Sequence, residues 1–201
     1  MFAHLCNNVD IIQQDIREHS GMKDVKLLIA DPPWNQMGNN PTRGVHITYP
    51  TMKFEEIMKC LNKFLGDYVC LWCVNKYFMQ SIQQFKDWGY QLIHLYDVVK
   101  MTANQHIIKG YGYYFQHSKE TMMIFKKVKE GREMMDERKI NKFKKKFKTG
   151  FHHLYTLSQK PTKIVEKMRN ELVGFDSEKE NTVELFARNY SIFENATFIG
   201  Q

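Results

Sequence analysis

The chain has 201 residues, 43% of them hydrophobic and 13% aromatic, with a formal net charge of +7. That length suits one domain with a sizeable core, and no apolar stretch approaches the ~20 residues of a membrane-spanning helix. Four cysteines and an N-terminus without the basic-then-apolar form of a signal peptide argue against a disulfide-built secreted protein. The expected setting is intracellular and reducing.

The charge is local. Residues 126–148 hold eleven Lys/Arg and four Asp/Glu, which is the whole net of +7, and the rest of the chain balances at 18 of each sign. A basic stretch set into a neutral chain is the footprint of a polyanion partner. Its densest part, Lys139 to Lys148, has six lysines and no acid, with Phe143 and Phe147 one helical turn apart. Lys142, Lys144, Lys145 and Lys146 are therefore candidate phosphate contacts. A solvated loop and a protein-docking arm are the bland alternatives. Neutralising these lysines flattens the salt dependence of binding if they meet phosphates, and leaves it unchanged otherwise.

In chain order, the first apolar run is Val25–Ala30, a buried strand by its pattern. It ends on Asp31-Pro-Pro-Trp34. An acid, two prolines and an aromatic at a strand's C-terminal end make a rigid polar mouth, at the place where α/β sheets bind ligands. Proline lacks the backbone donor, so carbonyls there are expected to face outward with few competing N–H groups. A planar ligand with an NH2 group, such as adenine, fits between the Asp31 carboxylate and the Pro32 carbonyl, with Trp34 stacked on its face. Asp-Pro-Pro is also an ordinary strand exit, and Trp34 is equally a core residue by type.

The polar stretch Asn35 to His46 reads as an active-site loop. Phe54, Ile57, Met58, Leu61, Phe64 and Leu65 then mark a helix face with Thr51 as its N-cap. Tyr68–Val74 is the second strand. It contains Cys70 and Cys73, whose spacing suits a redox or zinc pair but whose place in an apolar strand favours buried structural thiols. Phe78, Ile82 and Phe85 mark a second helix closed by Trp88-Gly89. Further strands are expected at Leu92–Val99, Thr121–Phe125, Thr182–Phe186 and Thr197–Ile199. A third helix is expected around Ile164 to Leu172, with Pro161 near its start. Strands alternating with helices predict a parallel-type α/β sheet in a single domain over 1–201, with a basic insertion at about 126–150.

Seven short motifs now fall in one order along nearly the whole chain: Gln14-Asp-Ile-Arg17; Asp31-Pro-Pro-Trp34; Tyr49-Pro-Thr-Met52 with Glu55-Glu-Ile57; Leu71-Trp-Cys-Val-Asn75; Gly110-Tyr-Gly-Tyr-Tyr114 with His117-Ser-Lys-Glu120; Gln159-Lys-Pro161; and Glu184-Leu-Phe-Ala-Arg188. In this order they resemble the Asp-Pro-Pro-Trp class of adenine-N6 methyltransferases. That family includes the catalytic subunit that makes N6-methyladenosine in eukaryotic mRNA, and bacterial and ciliate members that modify DNA.

The resemblance implies a Rossmann-like methyltransferase fold with permuted motif order and S-adenosylmethionine as donor. It implies a catalytic set of Asp31, Pro32, Pro33 and Trp34. Asp15, Ile16, Asp31, Lys160, Phe186, Arg188 and Gln201 would hold the cofactor. Trp34, Tyr49, His117 and Glu120 would meet the target base and its flank. No metal is implied. The Tyr-Pro-Thr-Met and Gly-Tyr-Gly-Tyr segments look closer to the bacterial and ciliate members, so DNA is favoured over RNA. A paralogous subunit is the implied partner, as in the family's heterodimers, and further nucleic-acid-binding subunits are candidate partners beside it. Degenerate members of such pairs usually lose the Asp-Pro-Pro-Trp or Lys-Pro element, and this chain keeps both, which favours an active subunit over an inactive binding module. A zinc base deaminase is excluded by the lack of a His-x-Glu with Pro-Cys-x-x-Cys. The chain departs from the family in Val99-Lys100, in Asn189-Tyr-Ser191, and in its Ile-Gly-Gln end. These departures bear on the ribose contacts of the tail and leave Asp31 to Trp34 untouched.

Overall fold

A computed structural model of the chain describes residues 10–13, 15–35, 50–102, 104, 106–107, 118–128, 152–154, 172, 181–186 and 196–200. Among these, the strands are β1 (Asp10–Gln13), β2 (Val25–Ala30), β3 (Tyr68–Cys73), β4 (Tyr90–Lys100), β5 (Lys119–Lys127), β6 (His152–Leu154), β7 (Asn181–Leu185) and β8 (Ala196–Gly200). The helices are α1 (Phe54–Asn62) and α2 (Phe78–Asp87), the latter preceded by a 3-10 turn at Asn75–Tyr77. The strands form one sheet in the order β1-β8-β7-β2-β3-β5-β4-β6.

Every pairing is parallel except those of β5, which runs antiparallel to both β3 and β4. The parallel-type sheet expected from the alternation of elements therefore carries one reversed strand. The reversal follows from a return connection: after Lys100 the chain turns back, and the Lys100 N–H donates to the Ser118 carbonyl at 3.1 Å as β5 begins. Strands β1 and β6 were not expected, because four and three residues are too short to show a period.

The centre of the sheet is buried on both faces, as a parallel sheet requires. On one face Leu28 and Ala30 of β2, Val69 and Leu71 of β3, and Val183 and Leu185 of β7 join a core with Ile57, Met58 and Leu61 of α1 and Phe85 of α2. On the other, Leu27 and Ile29 are at most 2% exposed. The α1 register is the expected one, with apolar positions 54, 57, 58 and 61 on one side. Its cap is not: the helix starts after Lys53, whose N–H is taken by the Glu56 carboxylate at 2.9 Å, so Thr51 is not the N-cap. Glu55 and Glu56 in the first turn also suit the positive end of the helix dipole. Helix α2 ends as the sequence predicts, with Gly89 at φ 80° and its N–H on the Lys86 carbonyl at 2.9 Å. The predicted helix around Ile164 lies outside the described residues, apart from Leu172, which is buried.

Lys126 and Lys127 belong to β5, so the basic segment expected from residue 126 begins only after that strand. Its remainder, with Lys142, Lys144, Lys145 and Lys146, lies outside the described residues. No described helix is long and apolar enough to cross a membrane.

One glycine between α1 and β3 sets the spacing of β2. A Cβ on Gly66 would lie 2.6 Å from the Val25 carbonyl oxygen, and the Tyr90 hydroxyl donates to the Gly66 carbonyl at 2.5 Å. Backbone meets backbone here, so neither side can yield. Gly66→Ala is expected to cost about 1–3 kcal/mol of stability, read as a lower denaturant midpoint. An unchanged midpoint would show that the approach relaxes freely.

Candidate functional site

Strand β2 leads through α1 to β3 on one side, while its other neighbour, β7, leads to β8 on the opposite side. The C-terminal ends of β2 and β7 therefore flank a topological switch point, where open α/β sheets form their ligand crevice. Asp31 directly follows β2 and Phe186 directly follows β7, and the Asp31 N–H donates to the Leu185 carbonyl at 3.4 Å. Asp15 stands two residues beyond β1, which is parallel to β8, so it shares this sheet edge. The start of reversed strand β5 reaches the same edge from the other side. Thr121 pairs with Cys73, the last residue of β3, and Glu120 precedes it. Asp15 and Phe186, expected at the cofactor, thus lie on one side of Asp31, and Glu120, expected at the target base, lies on the other.

The mouth is rigid. The Trp34 N–H donates to the Pro32 carbonyl at 2.8 Å, and the Met52 N–H to the Pro33 carbonyl at 2.9 Å. The Asn35 carbonyl accepts from the Tyr77 hydroxyl at 2.7 Å and from Lys76 Nζ at 3.2 Å. Segments on either side of the 36–49 stretch are therefore pinned to the sheet edge. Two expectations change as a result. The proline carbonyls each already hold one backbone N–H, so an incoming amine must use a second lone pair. Trp34 is 3% exposed, donates its indole N–H to the Trp72 carbonyl at 2.8 Å, and clusters with Phe54 and Tyr77. It is a wall of the mouth, and the stacking platform expected for a base is not what this side chain offers here.

Asp15 accepts from both the backbone N–H and the guanidinium of Arg17, and that ion pair holds its carboxyl down at about 2. Ile16 is buried in the core. Lys63 Nζ donates to the Arg17 and His19 carbonyls at 3.0 and 2.9 Å, which ties this turn to the end of α1. Phe186 has φ 60° and is packed partly against the core. A bulky residue in the left-handed region is uncommon and concentrates at functional sites. Glu120 is paired with Lys100 at 2.6 Å. Tyr49, His117, Lys160, Arg188 and Gln201 lie outside the described residues.

Cys70 and Cys73 are buried free thiols, both pushed up by burial, Cys73 to about 12. Cys73 Sγ contacts the Ser81 hydroxyl at 3.5 Å. A thiol so reluctant to ionise is neither a ready nucleophile nor a ready ligand, and no metal-holding cluster is present among the described residues. These are structural cysteines.

Sequence reasoning gave Glu184 no role of its own. It pairs in register with Ile29, so it shares the face of the sheet on which Asp31 lies two residues further along β2. Burial, and the Asp31 charge after it, push its carboxyl up to about 7, and its Oε2 has no hydrogen-bond partner among the described residues. The only signal in the sequence is an acid inside an apolar strand pattern. A half-buried acid whose carboxyl is raised has a sign in stability. Above the ordinary value of 4.5 the unfolded chain gives up the proton while the folded chain keeps it until about 7. Ligand-free protein should lose about 3 kcal/mol as pH rises through that window. Glu184→Gln is expected to melt above the wild type at pH 7.5 and with it at pH 4.5. A difference independent of pH would remove Glu184 as the cause.

The profile of the MT-A70 family matches residues 25–201. The chain belongs to the MT-A70 family. This is a family of S-adenosylmethionine-dependent methyltransferases that includes the N6-adenosine methyltransferase catalytic subunits, and the mixed α/β sheet has the Rossmann-like form that such enzymes share. N6-adenine methyltransferase activity is the general activity of MT-A70 members. A comparison with curated proteins gives no match. The crevice fits the donor of the family by its chemistry: a cationic ligand suits a half-buried acid whose Oε2 has no partner among the described residues and which stands near a second carboxylate.

Proposed function

We propose that this protein transfers a methyl group from S-adenosylmethionine to the N6 amine of adenine in a nucleic acid, with DNA favoured over RNA. The observation that carries the reading is the position of Asp31. It stands at the switch point of an MT-A70 sheet, between Asp15 and Phe186 on one side and Glu120 on the other.

Adenine N6 is a poor nucleophile because its lone pair is conjugated into the ring. A carboxylate that accepts one N6–H, with a proline carbonyl accepting the other, favours a pyramidal nitrogen and exposes the lone pair. Asp31 also stabilises the positive charge that grows on nitrogen, and a preorganised group does this without reorganisation. The two carbonyl anchors to Trp34 and Met52 keep that geometry fixed, and positioning supplies much of the rate. S-adenosylmethionine supplies an electrophilic methyl on a sulfonium. Asp15 and Ile16 would hold its adenine end, Phe186 would pack against it, and Lys160, Arg188 and Gln201 would complete the pocket. A duplex target must be flipped out, at a cost of a few kcal/mol. Tyr49, His117 and Glu120 would meet the base and its flank, and Glu120 would first exchange its Lys100 partner.

DNA is favoured by the likeness of Tyr49-Pro-Thr-Met52 and Gly110-Tyr-Gly-Tyr113 to bacterial and ciliate members. The basic run with Lys142, Lys144, Lys145 and Lys146 supports a phosphate backbone as partner. A single small domain offers limited grip, which supports pairing with a paralogous subunit. The nucleus is the proposed location in a eukaryotic cell. Labelled methyl transfer to matched AT-rich DNA and RNA oligonucleotides tests the reading. Preferential labelling of DNA is expected, labelling of RNA alone overturns the DNA assignment, and absence of donor binding overturns the enzyme.

A further inference from the structure

Lys76 stands at the rim of the mouth. Strand β3 ends at Cys73, and the 3-10 turn Asn75–Tyr77 that follows lies at the sheet edge where Asp31 follows β2. Tyr77 turns inward onto Trp34, with ring centroids 5.2 Å apart, while Lys76 is exposed. The Lys76 ammonium donates to the Asn35 carbonyl at 3.2 Å and lies 4.9 Å from the centroid of the Tyr77 ring. The Tyr77 hydroxyl fixes the same carbonyl at 2.7 Å. Asn35 is four residues past Asp31, at most about 14 Å of extended chain.

Both partners of this ammonium are neutral. The other described lysines at this edge each meet a carboxylate close by: Lys100 pairs with Glu120, Lys119 pairs with Asp97, and the Lys53 N–H is taken by Glu56. An ammonium has three donors, and the Asn35 carbonyl takes one. The ring and the carbonyl already restrict the rotamers of a long side chain, so an anion arriving here meets a charge that needs little further ordering. Lysine binds phosphate as a point charge. A nucleotide that offers its base edge to Asp31 carries its phosphates beyond the sugar, and a flipped nucleotide has to be held there against restacking.

We infer that Lys76 anchors a backbone phosphate beside the target adenine and so positions the nucleotide whose N6 reaches Asp31. This rests on the reading of the protein as a nucleic-acid methyltransferase. The bonds from Lys76 and Tyr77 to Asn35, and the packing of Tyr77 on Trp34, tie the anchor to the wall of the mouth. The folded chain therefore sets the distance between the ammonium and the acid before the nucleic acid arrives. Lys76 is a positioning residue that touches neither the amine nor the methyl. A backbone contact carries no base sequence.

Binding of AT-rich DNA oligonucleotides to the full chain over a range of salt, with single methylphosphonates placed in turn around the target adenine, tests this. Lys76→Gln keeps a donor for Asn35 and removes the charge. It should weaken binding about ten-fold at low salt and lower the salt slope by about 0.7–0.9, the share of one phosphate. Lys76→Arg should keep the slope. One methylphosphonate position should weaken the wild type by a similar factor and cost Lys76→Gln less than about two-fold. An unchanged slope in Lys76→Gln, or equal losses in variant and wild type at every position, overturns the anchor. So does a wild-type scan in which no position beside the target matters, a readout that needs no variant to fold. Wild-type protein that binds neither the DNA nor matched RNA overturns instead the nucleic-acid reading on which the anchor rests.

Discussion

Asp31→Ala should lower methyl transfer by about 10²–10³-fold, the usual loss when a preorganised charge at a transition state is removed. The variant should still fold. The tie between β2 and β7 at this point is a backbone bond from the Asp31 N–H to the Leu185 carbonyl, and truncation of the side chain leaves it in place. Removing Asp31 also relieves Glu184 of its like-charge neighbour, so the raised carboxyl of Glu184 should move down toward its ordinary value. Asp31→Asn separates two roles. It keeps an acceptor for one N6–H but loses the negative charge, so it should resemble alanine if charge stabilisation dominates and wild type if orientation does. The assay is single-turnover transfer at saturating donor and oligonucleotide, with circular dichroism as the fold control. A well-folded Asp31→Ala enzyme within a few-fold of wild type would falsify the assignment of Asp31 as the catalytic group.

Trp34→Ala carries the largest expected loss of stability, about 3–5 kcal/mol for truncation of a buried aromatic. Trp34 is 3% exposed, belongs to the core that includes α1, and packs with ring centroids 5.2 Å from Tyr77 and 6.3 Å from Phe54. Its indole N–H satisfies the Trp72 carbonyl at the middle of the sheet edge. Trp34→Phe keeps most of the ring but loses the indole bond to the Trp72 carbonyl, and should cost about 1–3 kcal/mol. If Trp34 were a base-stacking platform, the alanine variant would keep its denaturant midpoint and lose only binding of the oligonucleotide. The structure predicts the reverse order: stability falls first, and activity falls with it because the mouth loses a wall. Equilibrium urea unfolding of both variants, monitored alongside donor binding, separates these outcomes.

Much of the architecture was legible beforehand because it is local. Val25–Ala30 is an apolar run broken only by Lys26, and it is β2 to the residue. The 54, 57, 58, 61 spacing is a helical face, and Gly89 after Trp88 is a stop that needs only its own φ. The ordered motifs likewise pointed to the family that the match over residues 25–201 shows. Short elements with no period, β1 and β6, escaped for the same local reason. The cap of α1 was misplaced because a hydroxyl at Thr51 looked better than a lysine, while the Glu56 carboxylate supplied the bond from the other side.

What chain order could not carry is adjacency. Strand β2 lies beside β7, which comes near the end of the chain, and nothing periodic in either segment records that pairing. Only the pairing brings Phe186 and Asp15 to the edge that Asp31 occupies, and only it sets Glu184 on the face of Asp31. Burial is decided in the same way. Trp34 by type is as fit to stack on a base as to fill a core, and its fate turned on Phe54, Tyr77 and the Trp72 carbonyl arriving around it. The residue types and their local spacing determined the strands, the helices and the acid at the mouth. Which groups share a crevice, and which of them are screened from water, was left to long-range packing, because desolvation and like-charge repulsion exist only between groups that the fold has brought together.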